Sequence, residues 1–384
     1  MKIVIAPDSY KESLSALDVA TQIEAGFREI FPQAEYVRLP VADGGEGTVE
    51  AMVAATSGQV LTVDVTDPLG ERGSAFLGLS GDERYAIIEM AAASGLERVP
   101  ASRRNPMITT SFGTGELIVE ALNSGVKHCI IGIGGSATND GGAGMVQALG
   151  AQLLDENDQQ IGFGGAELAR LHRIDVSQMD KRIADCRFEV ACDVTNPLTG
   201  AQGASAIFGP QKGGTPAMIE QLDANLLHYA KIIQRDLGLD VNDVPGAGAA
   251  GGMGAALLAF LGAELRPGID IVTEAVGLDA AVRQADLVIT GEGRIDSQTV
   301  NGKVPIGVAR VAKRYHKPVI AIAGSLSSDV DIVYQHGLDA AFSVLYKISS
   351  LDEALTQAAD NVRMTARNIA MVYRLGLASG GRSD

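Results

Sequence analysis

The sequence predicts an α/β protein built on a doubly wound parallel sheet, with a second α/β domain inserted into the chain. Short apolar runs that end abruptly in Gly, Asp or Pro occur near both ends of the chain, and such runs are typical of buried parallel strands. Helical patterns lie between these runs, where a parallel sheet requires crossover connections. The middle of the chain has closely spaced strand patterns separated by turn sequences, which indicates a second sheet.

Five short apolar runs near the two ends of the chain are predicted to form one parallel sheet. They cover residues 3–7, 36–41, 287–290, 319–323 and 341–345. Helices are predicted at 15–31, from about Pro305 onward, and at 352–375. Ser15 and Asp18 resemble a capping box at the start of the first helix, and proline is favoured in a first helical turn.

The middle of the chain is predicted to contain its own strands and helices. The strands are expected at 61–65, 75–79, 85–90, 130–133 and 188–192, and the helices at 115–123, 216–237 and 252–261. We therefore predict one domain of residues 1–60 plus 285–384, with a second domain of residues 61–284 inserted in it. A cleft between two such domains would be the default site for a small ligand. The tail from Ser379 is rich in glycine and serine, and we expect it to be frayed.

Composition and charge limit the classes of partner. The 384 residues are 46% hydrophobic and 20% charged, as in an ordinary globular protein. The formal net charge of −16 disfavours binding to nucleic acid or to an anionic membrane. We expect small-molecule partners, and assembly into a homo-oligomer stays open. A bound phosphate or carboxylate would have to be held by glycine-loop amides, helix N-termini, a few Lys or Arg side chains and cations.

The cysteines and histidines argue against disulfides and zinc. Cys129, Cys186 and Cys192 lie in apolar contexts without a CxxC spacing, so we expect reduced, mostly buried thiols. No HxH or HExxH spacing that would hold zinc occurs in the sequence. The first residues turn polar too early for a signal peptide, and no run is apolar enough to span a bilayer. We therefore expect a cytoplasmic protein with no membrane partner.

The most prominent motif is the glycine-rich loop 132–142, which reads GIGGSATNDGG. It follows an apolar run and precedes a helical pattern at 145–149, so successive backbone N–H groups and a helix N-terminus could face an anion. The chain has no GxxxxGK[ST] motif and no βαβ unit with a dinucleotide fingerprint. Phosphate binding and a plain tight turn are both open for this loop.

Polar residues come directly after the first predicted strand. Asp8, Ser9 and Lys11 follow it, and ligands of open α/β sheets bind at the carboxyl ends of the strands. We expect Lys11 to contact an anion and Asp8 to anchor a polar group. The alternative is that Ser13 and Ser15, as caps of the next helix, are the important polar groups here.

The second predicted strand is followed by a loop with two carboxylates. Asp43 and Glu46 lie among glycines, an arrangement that suits a divalent cation or a substrate hydroxyl. The alternative is that Asp43 caps a helix beginning near Thr48. Both interpretations are open.

Two further loops of the central region carry candidate side chains. Asp193 follows the strand at 188–192 and could accept a proton from an attacking hydroxyl or bind magnesium, although an Asx turn before Asn196 would also explain it. Lys212 lies in a flexible glycine-containing segment, where a solvated surface lysine is the usual alternative to an anion contact.

The loop after the strand at 287–290 combines acidic and basic side chains. Arg294 and Asp296 lie in it, and Lys303 opens the next helix. Packing alone does not explain such a mixture on a short glycine loop, so we favour a functional role. Carboxylates, lysines and glycine loops are the groups that phosphoryl transfer requires.

Nine strings spread along the chain closely resemble one known family. They are APDSYKESLSA at 6–16, VADGGEGTVEAM at 41–52, EMAAASGL at 89–96, TTSFGTGEL at 109–117, GIGGSATNDGGAGM at 132–145, ACDVTNPLTG at 191–200, FGPQKGG at 208–214, PGAGAAGGMG at 245–254 and VITGEGRIDSQ at 288–298. The sequence is similar to the bacterial glycerate kinase family of the first type, which includes enzymes of glucarate, galactarate and glyoxylate breakdown. The resemblance extends from the first residue to about residue 375.

This resemblance implies ATP-dependent phosphorylation of D-glycerate to 2-phosphoglycerate with Mg²⁺, by a flavodoxin-like domain that carries an inserted α/β domain. By the chemistry of phosphoryl transfer we assign contacts with the nucleotide phosphates to Gly134, Gly135, Ser136, Asn139 and Lys212. Substrate contacts and neutralisation of charge are assigned to Asp8, Ser9, Lys11, Asp43, Arg294 and Lys303. Asp193 and Asp296 are the candidates for catalytic base and Mg²⁺ ligand, and which does which is open.

Two other functions remain as alternatives. The first is a glycerate kinase that acts on the 3-hydroxyl, one carbon away from the 2-hydroxyl. The second is a non-catalytic sensor of small sugar acids, which would need an effector domain. No helix-turn-helix pattern with a basic face occurs in the sequence to provide one.

Overall fold

The computed structural model describes residues 1–380, which form two compact units. The terminal unit comprises Met1–Asp43, Glu50–Ser57 and the described residues from Ile269 onward. The central unit comprises Gly44–Val49 and Gly58–Gly268. Within the described residues, no helix combines the length and the apolar character needed to cross a membrane.

The strands and helices alternate along most of the chain. The strands are β1 (Lys2–Pro7), β2 (Glu35–Arg38), β3 (Gln59–Thr66), β4 (Arg72–Leu79), β5 (Ala86–Glu89), β6 (His128–Gly132), β7 (Gln152–Leu154), β8 (Arg173–Asp175), β9 (Arg187–Ala191), β10 (Glu264–Arg266), β11 (Leu287–Gly291), β12 (Arg294–Ile295), β13 (Val319–Ala323), β14 (Ser325–Leu326) and β15 (Ala340–Ser343). The α-helices are α1 (Ala16–Arg28), α2 (Thr48–Thr56), α3 (Ala91–Ser94), α4 (Phe112–Asn123), α5 (Ala143–Ala148), α6 (Ala204–Phe208), α7 (Pro216–Leu237), α8 (Ala249–Leu261), α9 (Gly268–Ala275), α10 (Leu278–Arg283), α11 (Val304–Arg314), α12 (Leu351–Thr356) and α13 (Ala358–Gly380). Short 3-10 helices cover Leu96–Arg98, Ala101–Arg103, Glu167–Arg170, Lys181–Asp185, Pro210–Lys212 and Val330–His336.

The terminal unit contains the predicted parallel sheet. Its five strands lie in the order β2-β1-β11-β13-β15, and every neighbouring pair is parallel. Numbered within the unit, this is the 2-1-3-4-5 order of the flavodoxin-like fold, whose direction of winding reverses between the first and third strands. The prediction of a doubly wound sheet is confirmed, and the switch point lies between the carboxyl ends of β1 and β11.

The terminal sheet is apolar on both faces, as a parallel sheet covered by helices requires. Ile3, Val4 and Ile5 of β1 are all fully buried, so consecutive residues rather than alternate ones are apolar. The helices α1 and α13 pack on each other and share one core cluster with β1. The predicted N-cap of α1 is present, because the Ser15 hydroxyl accepts the Asp18 backbone N–H at 3.1 Å.

The central unit has a mixed sheet of six strands in the order β10-β9-β6-β5-β4-β3. The pairs β3–β4 and β4–β5 are antiparallel, which is the meander expected from the closely spaced strands, and the pairs β5–β6, β6–β9 and β9–β10 are parallel. The helices α4, α5, α7 and α8 contribute buried side chains to one large apolar cluster with this sheet. The unit therefore has a hydrophobic core of its own.

The two units divide the chain at positions that differ from our boundaries at 60/61 and 284/285. Residues 269–284, which include most of α9 and all of α10, belong to the terminal unit. They belong there because they contact α11 and the residue that follows it. Ile269 packs against Gly307, and Arg310 pairs with Asp270 at 3.3 Å. The Tyr315 hydroxyl donates to Asp279 at 2.6 Å. The assignment of 61–284 as an inserted domain stays a prediction.

The C-terminal helical region of the structure differs in one respect from the prediction of a single helix at 352–375. The structure has two helices, α12 and α13, because the backbone of Gln357 leaves the helical conformation between them. The frayed tail was predicted from Ser379. The helix α13 continues to Gly380, and residues 381–384 lie outside the described part of the chain.

The close approach of α1 to α13 depends on the absence of a side chain at Gly26. A Cβ atom there would lie 2.4 Å from the carbonyl oxygen of Arg363 and 2.8 Å from the backbone nitrogen of Arg367. For Gly26→Ala we expect the free energy of unfolding to fall by about 1–3 kcal/mol, because the two helices must separate. This loss should appear even though alanine favours a helix by ~1 kcal/mol over glycine.

The matched control is Gly376→Ala in α13, where an added Cβ would meet no heavy atom of residues 1–380 within 4 Å. It should leave stability unchanged or raise it by up to about 1 kcal/mol. Urea unfolding of both variants makes the comparison. Equal stability of the two alanine variants would show that the helices are not in the close contact described.

Candidate functional site

Two carboxylates follow the strands that flank the switch point of the terminal sheet. Asp8 comes directly after β1 and Glu292 directly after β11, and the Asp8 backbone N–H donates to the carbonyl of Gly291 at 2.8 Å. The Asp8 carboxylate accepts the backbone N–H of Ser9 at 2.7 Å and its hydroxyl at 3.3 Å. The structure therefore places Asp8 and Ser9 where a doubly wound sheet binds its ligands.

The Asp8 carboxyl group has an unusually high proton affinity. Burial, followed by the negative charges of Asp43 and Glu292, raises the pKa of Asp8 to about 7, while the hydrogen bonds from Ser9 oppose this change. The same charge interaction shows that the predicted substrate residue Asp43 lies near Asp8. A carboxyl group that titrates near neutral pH can take a proton from a hydroxyl, and such perturbed groups concentrate at functional sites.

Glu292 was not among the predicted site residues, yet it is the most buried carboxylate of this group. The Thr299 hydroxyl donates to it at 2.7 Å, and the ammonium of Lys303 lies 3.4 Å from its other oxygen. Burial raises the pKa of Glu292, although Thr299 and Lys303 act in the opposite direction. Its position directly after an apolar strand, like that of Asp8, was the sequence signal that could have identified it.

Asp296 mainly organises the loop in which it lies. Its carboxylate accepts the Gln298 backbone N–H at 2.9 Å and pairs with Arg294 at 3.4 Å, and its own backbone N–H donates to the Thr299 hydroxyl at 3.1 Å. The side chain of Arg294 is 67% exposed, and Lys11 is also exposed. Arg294 and Lys11 can therefore reach a ligand, whereas the Asp296 carboxylate already has partners within its own loop.

The N-terminus of α5, at the end of the glycine-rich loop of the central unit, is occupied by the protein itself. The buried Asp140 carboxylate accepts the backbone N–H groups of Gly142 at 3.1 Å and Gly144 at 3.2 Å, together with the Ser111 hydroxyl at 2.7 Å. The Ser111 hydroxyl also accepts the Met145 N–H at 3.0 Å. These donors are not available to a phosphate, so the helix N-terminus does not serve as an anion site.

The beginning of the same loop presents a different set of amides. Within the described residues, the backbone N–H groups of Gly134, Gly135 and Ser136 donate to no acceptor. Gly135 has φ of +75°, a conformation that favours glycine, and an added Cβ at Gly134 would meet open space. Consecutive unpaired N–H groups around a left-handed residue form the anion-binding concavity known as a nest.

Lys212 lies beneath this nest. Its side chain is only 1% exposed, and its ammonium donates to the Ser136 hydroxyl at 2.7 Å and to the carbonyl of Thr138 at 2.6 Å. Burial lowers the pKa of Lys212 to about 7, partly offset by Asp140. The alternative of a solvated surface lysine is therefore wrong, because the side chain is enclosed and holds the loop from within the unit.

Asn139 is also turned inward. Its amide nitrogen donates to the Ser205 hydroxyl at 2.9 Å, and its amide oxygen is buried without a hydrogen-bond partner among the described residues. The predicted phosphate contacts of the central unit thus divide into two groups. Gly134 and Gly135 are exposed, whereas Ser136, Asn139 and Lys212 are buried behind them.

Asp193, the other predicted base or metal ligand, is exposed in the central unit beyond the end of β9. Its carboxylate accepts the Gly268 backbone N–H at 3.2 Å. Asp296 belongs to the terminal unit. Across the part of the chain that the structure describes, no group of three or more His, Cys, Asp or Glu side chains could hold a metal ion.

Together the fold and these two clusters define an α/β protein with buried carboxylates at a switch point and an amide nest suited to a phosphate. The model of the Glycerate kinase family matches residues 3–374. The chain therefore belongs to the glycerate kinase family.

Individual relatives match over nearly their full length. The chain is 65% identical to the Glycerate 2-kinase of Escherichia coli K12, covering 99% of this chain and 100% of that protein. It is 58% identical to the Glycerate kinase of Bacillus subtilis 168, covering 98% of each. A crystal structure of a candidate glycerate kinase 2 from Salmonella typhimurium LT2 superimposes with a TM-score of 0.91 at 66% identity, covering 98% of this chain and 99% of that one.

The raised pKa of Asp8 predicts a pH-dependent effect on stability. The folded protein holds this proton up to about pH 7, whereas the unfolded chain releases it near the ordinary value of 3.8. The stabilisation that this proton provides is therefore complete below the pKa of Asp8 in the unfolded chain. It is lost as the pH rises through the pKa of Asp8 in the folded protein. Asp8→Asn, which stays neutral, should gain stability over the wild type between about pH 5 and pH 8, by about 2 kcal/mol after allowance for partial exposure.

Urea unfolding at the two pH values measures this difference. The control is Asp64→Asn on β3, where the side chain is exposed and the substitution should give the same small difference at both pH values. If the stability of Asp8→Asn relative to the wild type did not change with pH, the buried, proton-binding state of Asp8 would be contradicted.

Proposed function

We propose that this protein transfers the γ-phosphate of ATP to the 2-hydroxyl of D-glycerate and so forms 2-phosphoglycerate. The observation that carries the proposal is the 65% identity, over 99% of the chain, to the Escherichia coli protein named Glycerate 2-kinase. Two features of the structure support it: a carboxyl group at a switch point that can accept a proton, and an amide nest that can accept a phosphate.

In this proposal the terminal unit handles glycerate and its proton. Asp8 accepts the proton of the 2-hydroxyl as that oxygen bonds to the γ-phosphorus and the bond from phosphorus to the departing ADP oxygen breaks. We prefer Asp8 to Asp296 as the catalytic base, because the Asp296 carboxylate already interacts with Gln298 and Arg294. Asp193 remains a candidate base or metal ligand.

The carboxylate of glycerate would be held by cationic side chains of the same unit. Lys11 and Arg294 are exposed near the ends of β1 and β11, and Lys303 lies 3.4 Å from Glu292. Glu292 therefore serves to orient Lys303, and Thr299 in turn orients Glu292 through its hydroxyl. Ser9 and Asp43 complete the polar surroundings of the substrate hydroxyls.

The nucleotide phosphates would be bound by the nest of Gly134, Gly135 and Ser136 in the central unit. Its three N–H groups carry no charge, so they can hold a polyphosphate without an excess of basic residues. Lys212 acts through Ser136 and Thr138, which it fixes in place by two hydrogen bonds. In this role Lys212 is a positioning residue rather than a direct phosphate contact.

The carboxylates fit Mg²⁺ bound together with ATP. This ion commonly uses only one or two protein carboxylates and completes its shell with phosphate oxygens and water, so a cluster of three is not required. The negative charge of Asp43 repels that of Asp8 and so raises the pKa of Asp8. A cation beside Asp43 would reduce this repulsion. When bound, Mg²⁺ would neutralise charge on the transferring phosphate.

The wider setting follows the family resemblance. We propose that the protein works in the cytoplasm, in the breakdown of glucarate and galactarate. Assembly into a homo-oligomer stays a prediction.

The position of the new phosphate tests the proposed reaction. Incubation of the purified protein with D-glycerate, ATP and Mg²⁺ should give 2-phosphoglycerate, because the resemblance is to 2-kinases. Phosphorus NMR identifies the product, and enolase should convert it without added phosphoglycerate mutase. A signal from 3-phosphoglycerate alone would replace the proposal with the 3-kinase alternative, and the absence of ATP consumption would reject both.

The role of Lys212 predicts a selective effect on the nucleotide. Lys212→Met removes both hydrogen bonds to the loop, so we expect the KM for ATP to rise about tenfold or more while the KM for glycerate changes less. Ser136→Ala removes one of the two hydrogen bonds and should raise the KM for ATP by a smaller factor. Steady-state kinetics with each substrate varied in turn make the measurement.

The matched control is Lys231→Met, at an exposed position of α7, which should leave both KM values unchanged. Thermal unfolding of Lys212→Met shows whether the fold is retained, and Ser136→Ala provides the test if it is not. Equal changes in both KM values for Ser136→Ala would contradict the assignment of this loop to ATP.

A further inference from the structure

Two of the three cysteines form a close pair that the proposed reaction does not use. The sulfur atoms of Cys129 and Cys186 lie 3.6 Å apart in the central unit. Cys129 is on β6, opposite Phe188 of β9 in the parallel register, and Cys186 immediately precedes β9. Cys129 is fully buried, whereas Cys186 is partly exposed. The third thiol, Cys192, has no sulfur neighbour of this kind within the described residues.

The two thiols of the pair differ in exposure and in the direction in which their pKa values shift. The hydrogen bond with Cys129 lowers the pKa of Cys186, and the nearby Lys127 acts in the same direction, although partial burial opposes both. The interaction with Cys186 and burial both raise the pKa of Cys129. The accessible sulfur therefore has the greater thiolate character, and the enclosed one stays a thiol beside it. Accessible thiolates next to a second thiol are typical of cysteines that respond to oxidants.

We propose that Cys129 and Cys186 are an oxidative modification site, at which a peroxide converts the two thiols into a reversible intramolecular disulfide. Cys186, the accessible sulfur, attacks one oxygen of the peroxide, the O–O bond breaks, and a sulfenic acid and water form. The Cys129 sulfur then attacks the sulfenic sulfur, and the hydroxyl leaves as water with the proton of Cys129. One hydrogen peroxide becomes two waters, and the two thiols together lose two protons and two electrons.

The position of the pair in the fold makes bond formation feasible without a change in topology. The sulfurs must approach from 3.6 Å to a bond length of about 2.0 Å. Cys186 lies outside the hydrogen-bonded part of β9, after the short helix Lys181–Asp185, so it can move while β6 and β9 stay paired. The glycine-rich loop lies at the opposite end of β6, so the direct readout is the chemical state of the sulfurs rather than activity.

The test treats the full-length folded protein with hydrogen peroxide in small excess, blocks remaining thiols with an alkylating agent and maps the peptides by mass spectrometry. We expect free thiols to fall from three to one, with a single linked peptide pair containing Cys129 and Cys186. Dithiothreitol should restore all of them. The same treatment in urea should give mixed pairings that include Cys192, because the fold no longer selects the partners.

Variants distinguish this pair from general oxidation. Cys192→Ser should give the same disulfide at the same rate, whereas Cys186→Ser should give none. Cys129→Ala should allow Cys186 to proceed to sulfinic acid, because no second thiol captures the sulfenic acid. The proposal is overturned if folded wild-type protein oxidises mainly at Cys192, if Cys186 becomes sulfinic acid while Cys129 stays reduced, or if the linkage joins two chains. The peptide map of the oxidised wild-type protein tests the proposal even if Cys129→Ala does not fold.

Discussion

The reversal of winding between β1 and β11 is the constraint on which the candidate chemistry depends. Crossover helices leave in opposite directions at this point, so the carboxyl ends of the two strands are left uncovered by their own connections. Asp8 and Glu292 follow those two strands, and both carboxyl groups have a raised pKa because the surrounding unit buries them. A polar residue at the end of any other strand of this sheet would not be placed at the switch point.

Burial of several carboxylates together is unfavourable, which explains the number of polar groups that surround them. Glu292 has a hydroxyl and an ammonium as partners, whereas the Asp8 carboxylate, within the described residues, has Ser9 as its one hydrogen-bond partner and lies near the charge of Asp43. Asp8 is therefore the less stabilised anion of the two. An energetic penalty retained at a buried carboxylate is typical of a site selected for function rather than stability.

The sequence allowed the long elements to be predicted because their signals are local. The helix α7 was predicted with its observed bounds, and the structure has a proline in its first turn and Gly238 at its C-cap. The strand β13 was predicted from an uninterrupted apolar run. The short strands β7, β8, β10, β12 and β14 were missed, since two or three residues carry no period. The split between α12 and α13 was missed because neither proline nor glycine marks it.

Site residues were predictable when their position along a strand decided their role, and less so when a distant contact did. Asp8 follows β1 directly, and the same argument applied to β11 would have included Glu292. By contrast, the role of Lys212 depends on its hydrogen bonds to Ser136 and Thr138, which lie more than 70 residues away in the chain. The glycine-rich loop was ambiguous for a third reason. Asp140, inside the motif, competes with any phosphate for the helix N-terminus, and only the folded arrangement shows that Asp140 occupies it.

This competition bears on how a protein of net charge −16 can bind a polyphosphate. Asp140 takes the donors at the start of α5, whereas the N–H groups of Gly134, Gly135 and Ser136 donate to no acceptor among the described residues. Lys212 has a pKa of about 7 and so adds little positive charge above that pH, although it donates hydrogen bonds in either protonation state. Binding would then depend on oriented dipoles, which act at short range and do not offset the long-range repulsion of the acidic surface. A divalent cation that arrives with the nucleotide reduces the charge of the ligand itself, and this lowers the repulsion without any additional basic residue in the protein.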